Sequence, residues 1–385
     1  MPSSKNPDHL SGASETANAV LAIDLGALQA NYRALNALAG GAECAAVVKA
    51  NAYGTGEREA VRALMQAGCR TFFVAAFNEA ETVRDVAPEA TIYVLNGMYR
   101  GAGPAFVAKD IRPVLSSLHE VIDWVEFCRQ TGEPHPAAIQ MDTGMHRLGL
   151  TRDEVDELAR SPDLLKAFSP ALIMSHLACA DEADHPMNAA QLQLFEDLRA
   201  LLPEMPTCFA NSGGIHLGSA YHFDMVRAGF SMYGGRAVAG REPLTPVVQL
   251  HTRIAQIHEA PAGRTVGYGA AHTLGRPTRV ATLTLGYADG IFRYLGAHDT
   301  KTGLTGYIEG HPAPALGRVS MDLITLDVTD IPEDIAHRGA WVEIIGPNAS
   351  IDDLADQAET IGYEILTSLG NRAERVYLGG ETDTA

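Results

Sequence analysis

A lysine at the end of an apolar run is the first candidate for chemistry in this chain. Lys49 follows Val47 and Val48 in the string AVVKANAYGTG, and those two residues are typical of the end of a buried strand. Burial disfavours the charged form of an amine and leaves it more nucleophilic, as a Schiff-base lysine requires. Tyr53 and the turn-forming residues around it would place a hydroxyl beside a phosphate-carrying aldehyde cofactor. The alternative is a lysine that only extends its amine to solvent from the rim of a barrel.

Further polar residues follow other apolar runs. His176, in SHLACADE, can be a catalytic group or a structural hydrogen-bonding residue, and no HxxxH or HExxH spacing surrounds it to predict a metal site. Asn211 and Ser212 precede two glycines, where N–H groups could bind a phosphate, although an ordinary helix N-cap has the same pattern. Gly229 and Phe230, in VRAGFSMYG, would add backbone donors to a phosphate site.

Two arginines could donate hydrogen bonds to a ligand. Arg227 lies in VRAGFSMYG and Arg147 in DTGMHRLG. An arginine donates hydrogen bonds but does not take up a proton, and its planar guanidinium suits a carboxylate. A surface salt bridge is the alternative for Arg227.

Regular alternation of apolar runs and helical segments indicates how these residues are positioned. Each of the following runs is typical of a buried parallel strand: 44–48, 71–75, 91–95, 111–115, 137–141, 171–175, 207–210 and 223–226. About eight strand–helix units predict a (β/α)8 TIM-type barrel, whose chemistry lies at the C-terminal ends of its strands. A doubly wound open sheet is the alternative, but no GxGxxG follows the first strand.

The pattern of apolar and turn-forming residues changes near Pro243, and we place a domain boundary there. Beyond it, β-branched runs alternate with Gly and Pro turns, with one convincing helix at 351–359. We therefore predict a disordered leader over 1–19, a barrel domain over 20–243 and a β-rich C-terminal domain over 244–385. The fold class is α/β.

Composition excludes several functional classes. A formal net charge of -18 disfavours nucleic acid and anionic membranes as partners, so a small-molecule substrate is expected. Five cysteines form an odd set without a CxxC pair, which favours reduced thiols in a cytoplasmic protein. No apolar run approaches the roughly 18 residues that a membrane span needs.

The combination of KANAYG after the first barrel run with GYADG near residue 287 is specific. With it the chain resembles the alanine racemases from about Ala22 to Leu378. The resemblance implies pyridoxal 5'-phosphate (PLP) bound to Lys49. It also implies interconversion of L-alanine and D-alanine through a PLP aldimine by a two-base mechanism that supplies D-alanine for peptidoglycan. The expected assembly is a homodimer whose active sites are shared across the interface.

The same resemblance implies roles for individual barrel residues. His176 would stack on the pyridine ring, Arg227 would face the ring nitrogen, and Arg147 would hold the carboxylate side of the substrate. Most PLP enzymes place an Asp opposite that nitrogen, so an arginine there predicts an unprotonated ring and a weak electron sink.

In the β-rich domain, Tyr287 would be the second catalytic base, and Met321 with Asp322 would border the substrate. The chain departs from the family at two positions. Gln140 stands where many members carry a carbamylated lysine, and Asn371 stands where many have a tyrosine. Both departures motivate an alternative functional prediction, which is a racemase of broader specificity that accepts serine or larger side chains.

Two further rivals are a PLP-dependent decarboxylase of the same architecture and a PLP-carrying homeostasis protein. A decarboxylase should carry a catalytic cysteine in its C-terminal domain, and no cysteine follows Cys208. Homeostasis proteins of this kind are single barrels, which the β-rich domain disfavours. A biosynthetic role and a catabolic role are equally compatible with the sequence.

Overall fold

The computed structural model describes Leu10 and residues 12–379. They form two compact units. The barrel unit is Leu28–Thr245, and the sheet unit combines the described residues up to Ala27 with those from Pro246 onward. No helix of the described residues has the length and apolar character needed to cross a membrane.

The described chain starts with a strand and a capped helix. Strand β1 is Ala19–Asp24 and helix α1 is Leu25–Ala39. The N–H of Ala27 donates to Asp24 Oδ1 at 2.8 Å, so Asp24 caps the start of the helix.

In the described residues, eight parallel strands close the barrel. Their sequences are short and apolar because both faces are covered. They are β2 (Glu43–Val47), β3 (Thr71–Val74), β4 (Thr91–Val94), β5 (Arg112–Leu115), β6 (Pro136–Gln140), β7 (Ser169–Met174), β8 (Thr207–Cys208) and β9 (Met225–Ala228). β9 pairs with β2 through partners such as Ala45 and Arg227, which completes the predicted barrel.

The helical segments of this unit separate the strands. They are α2 (Lys49–Tyr53), α3 (Glu57–Gln66), α4 (Phe77–Val86), α5 (Gly103–Ala108), α6 (Leu118–Thr131), α7 (Arg152–Arg160), α8 (Pro162–Ala167), α9 (Pro186–Arg199) and α10 (Ser212–His216). Local sequence explains several ends. Thr151 and Glu154 form a reciprocal capping box at α7, and Gly132 ends α6 with a φ of 76°.

The sheet unit contains the predicted β-rich domain. Its further elements are β10 (Val248–Ala260), β11 (Thr265–Val266), β12 (His272–Thr273), β13 (Thr278–Leu283), β14 (Thr305–Ile308), β15 (His311–Pro314), β16 (Ile324–Asp327), β17 (Trp341–Ile345), α11 (Ile351–Gln357), α12 (Gly362–Ser368) and β18 (Glu374–Leu378). The long strand β10 pairs with β1, β13 and β17. Its register shifts between Ile254 and Gln256 in the pairing with β13, and between Leu250 and His251 in the pairing with β17.

One predicted domain boundary differs from the structure. The sequence predicts a barrel domain over 20–243, but β1 pairs antiparallel with β10 and parallel with β18 inside the sheet unit. An apolar strand satisfies its backbone wherever partner edges are available, and those edges are more than 200 residues away in the chain. The predicted change near residue 244 lies close to the observed division at Thr245.

The predicted disordered leader over 1–19 is only partly covered by the structure. Residues 1–9 and 11 lie outside the described residues. Leu10 and Ala17 are buried against Val20 and Val376, whereas Ser14, Glu15 and Thr16 between them are exposed.

Candidate active site

The candidate residues of the barrel unit converge at the C-terminal ends of its strands. Lys49 follows β2, His176 follows β7, and Ser212 follows β8. Arg227 lies within β9 and reaches His176, with Nη2 3.1 Å from Nδ1. The candidate side chains therefore lie at the C-terminal ends of the strands, where a barrel of this type carries its chemistry.

Lys49 begins a left-handed turn. Ala50, Asn51, Ala52 and Tyr53 have φ values of 54°, 54°, 51° and 54°. Such values are costly for residues with a Cβ, and a run of four is rare. Within this stretch the N–H of Ala52 donates to the carbonyl of Val48 at 2.9 Å. The turn makes the backbone leave the strand immediately after Lys49.

The surroundings of Lys49 favour its neutral amine. Burial lowers the pKa of Lys49, and the positive charges of Arg147 and Arg227 lower it further. Glu79 acts in the opposite direction and raises that pKa. A lowered pKa increases the fraction of lysine that is available as a nucleophile or a base.

Arg227 is the most constrained charged side chain of the site. It is 2% exposed. Nη1 donates to Cys208 Sγ at 2.9 Å, and Nη2 donates to the Ser175 carbonyl at 2.8 Å as well as to His176 Nδ1. In the described residues all hydrogen bonds of this guanidinium come from the two Nη atoms, so Nε is available to a further acceptor. The predicted alternative of a surface salt bridge is wrong.

His176 is held in one tautomer by this arrangement. Since Arg227 donates to Nδ1, the ring proton of a neutral imidazole belongs on Nε2. Burial lowers the pKa of His176 well below its usual 6.5, and the charge of Arg227 acts in the same direction. His176 is therefore neutral at physiological pH.

A small space lined by hydroxyls lies beside Gly229. A Cβ built at this glycine would stand 2.9 Å from Tyr53 Oη and 3.4 Å from Ser212 Oγ. Tyr53 is nearly buried, and its ring stacks on that of Tyr233 with centroids 4.7 Å apart. Two hydroxyls that converge where a glycine leaves room form a site that fits a phosphate group.

The structure changes the interpretation of one of the two predicted backbone donors to phosphate. The N–H of Gly229 donates to Ser212 Oγ at 2.8 Å, so this predicted donor is already engaged and Gly229 contributes space. Phe230 is buried and begins a short 3-10 turn that extends to Tyr233.

Asn211 acts as the helix cap that the alternative interpretation anticipates. Its Oδ1 accepts from the N–H of Gly214 at 2.9 Å, and its Nδ2 donates to the Leu177 carbonyl at 3.4 Å. Asn211 therefore fixes the start of α10, next to Ser212.

Arg147 projects from the loop after β6. It is exposed, and it forms no hydrogen bond or ion pair with the described residues. Gln140 does not orient it, because the Gln140 amide donates to the Leu148 carbonyl at 3.1 Å. Arg147 therefore remains open to an external carboxylate.

The sheet unit contains the three remaining candidates, which are Tyr287, Met321 and Asp322. The N–H of Tyr287 donates to the Ser320 carbonyl at 3.0 Å, and the N–H of Ala288 donates to the Met321 carbonyl at 3.0 Å. The side chains of Tyr287 and Met321 are 43% and 53% exposed. Backbone bonds thus hold the tyrosine loop against the Met321 segment.

Sequence reasoning missed two charged residues that contact the loops of the candidate residues. Arg372 contacts Asp289 Oδ1 at 3.0 Å and Asp322 Oδ1 at 2.7 Å, which connects the loops of Tyr287 and Met321. The sequence feature that could have indicated Arg372 is that it directly follows Asn371 in GNRAER. The other missed residue is Glu79, for which the sequence offers no signal beyond a charge near a helix start.

Comparison with known proteins assigns both units to one family. A family model described as the alanine racemase N-terminal domain matches residues 23–237, and one described as the C-terminal domain matches residues 247–377. An alanine racemase of Rhizobium meliloti is 43% identical over 98% of this chain and 100% of its own length. One of Methylobacterium nodulans is 47% identical, over 97% and 100% respectively. The crystal structure of a Bartonella henselae alanine racemase with covalently bound PLP has a TM-score of 0.90 and 41% identity, covering 94% of this chain and 100% of that one.

Proposed function

This chain belongs to the alanine racemase family, and we propose that it interconverts L-alanine and D-alanine with Lys49 and Tyr287 as its two bases. It is a PLP-dependent enzyme, since the family match is nearly complete and a relative at 41% identity carries that cofactor covalently. Racemase models match both units, which favours this activity over a decarboxylase of the same architecture.

One observation carries the assignment of residues. Lys49, with a lowered pKa, lies in the same barrel end as the neutral imidazole of His176 and the buried guanidinium of Arg227. A reactive amine beside a flat neutral ring and a donor that stays charged is the set that PLP chemistry requires.

The residues present fit the cofactor. Lys49 would form the covalent link, Tyr53 and Ser212 would bind the phosphate in the space beside Gly229, and His176 would lie on the ring. Bound PLP withdraws electrons from the Cα of an attached amino acid, so that the Cα proton becomes acidic.

Arg227 sets how strongly the cofactor ring attracts electrons. Its free Nε would donate to the ring nitrogen of bound PLP, and because a guanidinium does not release its proton, that nitrogen would remain unprotonated. His176 accepts from Nη2, which holds the guanidinium in one orientation. A weakly activated ring favours simple exchange of the Cα proton over slower side reactions.

Two bases are needed because racemisation moves a proton from one face of Cα to the other. Lys49 would take the Cα proton of D-alanine, since its lowered pKa keeps the amine partly neutral. Tyr287 would take that of L-alanine from the opposite face. We propose that each site receives Tyr287 of the partner subunit within a homodimer, an arrangement supported by the exposure of Tyr287 in the single chain.

The substrate carboxylate requires a cation. Arg147 is the candidate, since its guanidinium is exposed and has no acceptor among the described residues. Met321 and Asp322 would border the substrate. Asp322 is paired with Arg372, which keeps it from binding the substrate amine alone.

We further propose that the enzyme acts in the cytoplasm and supplies D-alanine for peptidoglycan. All five cysteines lie in the described residues, where none forms a disulfide, as in a reducing compartment. Restoration of growth in a bacterial strain that requires D-alanine would support this role, and failure despite expression would contradict it.

The proposed activity is tested with purified, PLP-loaded protein. We expect L-alanine to yield an equal mixture of enantiomers in a chiral assay, with serine and larger amino acids racemised more slowly. Borohydride reduction followed by peptide mapping should place the label on Lys49. A label on Lys109 or Lys166, both of which lie in other helical segments or at their ends, would contradict the assignment.

A further inference from the structure

The left-handed turn after Lys49 needs support from outside itself. Four consecutive residues with Cβ atoms at φ values of 51° to 54° cost several kcal/mol together. Internal hydrogen bonds cover part of the turn, since Gly54 N–H donates to the Ala50 carbonyl at 2.9 Å and Gly56 N–H to the Asn51 carbonyl at 3.0 Å. They leave the N–H of Ala50, the residue that follows Lys49, without an internal partner.

Glu79 supplies that partner. Its Oε1 accepts from the N–H of Ala50 at 2.7 Å, and its Oε2 accepts from the N–H groups of Ala75 at 2.8 Å and Ala76 at 3.0 Å. Ala75 and Ala76 directly follow β3, the neighbour of β2 in the barrel. One carboxylate from the start of α4 therefore joins the chain after Lys49 to the end of the adjacent strand.

We propose that Glu79 is a positioning residue for Lys49, whose carboxylate joins the left-handed turn to the end of β3 and so directs the lysine side chain into the barrel mouth. This inference rests on the proposed function, in which Lys49 is the cofactor lysine. A carboxylate is suited to the role because three N–H donors converge on it, and bonds to a charged acceptor are about twice as strong as neutral ones.

The charge of Glu79 also reaches the amine. Burial, Arg147 and Arg227 all lower the pKa of Lys49, and Glu79 opposes them. The nearby Glu57 is buried, and burial followed by the charge of Glu79 raises its pKa to about 7. Glu79 is thus the carboxylate whose loss would change both the geometry and the proton affinity of Lys49.

Three variants of the PLP-loaded enzyme separate these effects. Glu79→Gln removes the charge, and Glu79→Asp keeps the charge but shortens its reach. Glu81→Gln, two residues further along α4, is the matched control, because Glu81 has no hydrogen bond to the described residues of the turn. The readouts are the pH at which the absorption of the bound cofactor changes, kcat, and KM for alanine.

In Glu79→Gln we expect the pH midpoint of the cofactor spectrum to fall by about one unit and kcat to fall about tenfold or more, with KM changed less than about threefold. Glu79→Asp should retain the wild-type midpoint but lose kcat, because only the reach is altered. Should Glu79→Gln fail to fold, Glu79→Asp decides alone, and a wild-type kcat in that variant would overturn the inference.

Failure of the inference is distinct from failure of the proposed function. If borohydride labels Lys49 and Glu79→Gln behaves like Glu81→Gln in midpoint and kcat, Glu79 does not position the lysine. If borohydride labels another lysine in the wild-type enzyme, the proposed function is overturned and this inference with it.

Discussion

The space beside Gly229 provides the most direct test of the cofactor site. In Gly229→Ala, the new Cβ would lie 2.9 Å from Tyr53 Oη, which is closer than ordinary carbon–oxygen contact, and 3.6 Å from Val47 Cβ. Tyr53 has little room to move, because it is 6% exposed and stacks on Tyr233. The methyl group would therefore occupy space that we assign to the phosphate of PLP.

The expected magnitude follows from the cost of overpacking. Inserting one methyl group into a packed site costs about 1–3 kcal/mol, which corresponds to roughly a fivefold to hundredfold weaker binding of PLP. PLP affinity is measured by titrating cofactor into PLP-free enzyme and following its absorption. Gly275→Ala is the control, since its Cβ would meet nothing within 4 Å.

The predicted pattern is weaker PLP binding in Gly229→Ala alone, together with a lower melting temperature of that variant without cofactor, because its contact with Tyr53 Oη does not require PLP. If Gly229→Ala binds PLP as tightly as Gly275→Ala, the cofactor phosphate does not lie beside Gly229. The assignment of Tyr53 and Ser212 to the phosphate would then fall as well.

Three further predictions concern the bases and the charges around them. Arg227→Lys keeps the charge but cannot maintain the bonds of both Nη atoms, so kcat should fall at least about tenfold with PLP still bound; an unchanged kcat would contradict the role of the planar guanidinium. Co-expressed Lys49→Ala and Tyr287→Phe chains, each inactive alone, should regain about a quarter of wild-type activity if sites are shared, because about half of random dimers are mixed and one site in each is intact. Burial raises the pKa of Glu57 from 4.5 to about 7, so the folded chain holds this proton more tightly and stability falls as pH rises across that window. Glu57→Gln should therefore raise the melting temperature at pH 8 but not at pH 4.5, and an equal effect of Glu59→Gln would contradict this.

The barrel could be predicted from sequence because its strands carry a strong local signal. Strands buried on both faces must be continuous apolar runs, and the predicted run 71–75 overlaps the observed Thr71–Val74 almost completely. The last runs are less accurate: residues 207–210 are predicted, but only Thr207–Cys208 pair as a strand. Strand ends depend on pairing with neighbours, which a run of apolar residues does not specify.

Elements that depend on distant partners were not predictable in the same way. The strand character of β1 follows from its apolar residues, but its place between β10 and β18 depends on segments at the other end of the chain. Helix α12 (Gly362–Ser368) was missed because it begins with glycine at Gly362 and lacks a side-chain cap. In both cases local propensity does not determine the structure, and contacts with distant residues determine it.

The turn after Lys49 shows where the same limit applies to the site. Asn51 and Gly54 indicate a turn, but Ala52 and Tyr53 have no preference for the left-handed conformation that they adopt. The support for that conformation comes from the carboxylate of Glu79, which is distant in sequence and indistinguishable there from any helix-start acid. The lysine that we assign to the cofactor can therefore be recognised from local sequence, whereas the hydrogen bond that joins its turn to the neighbouring strand appears only when β2 and β3 are paired. We therefore expect a substitution of Glu79, which lies outside the motif, to impair the function that we propose for Lys49 without altering any residue by which the motif is recognised.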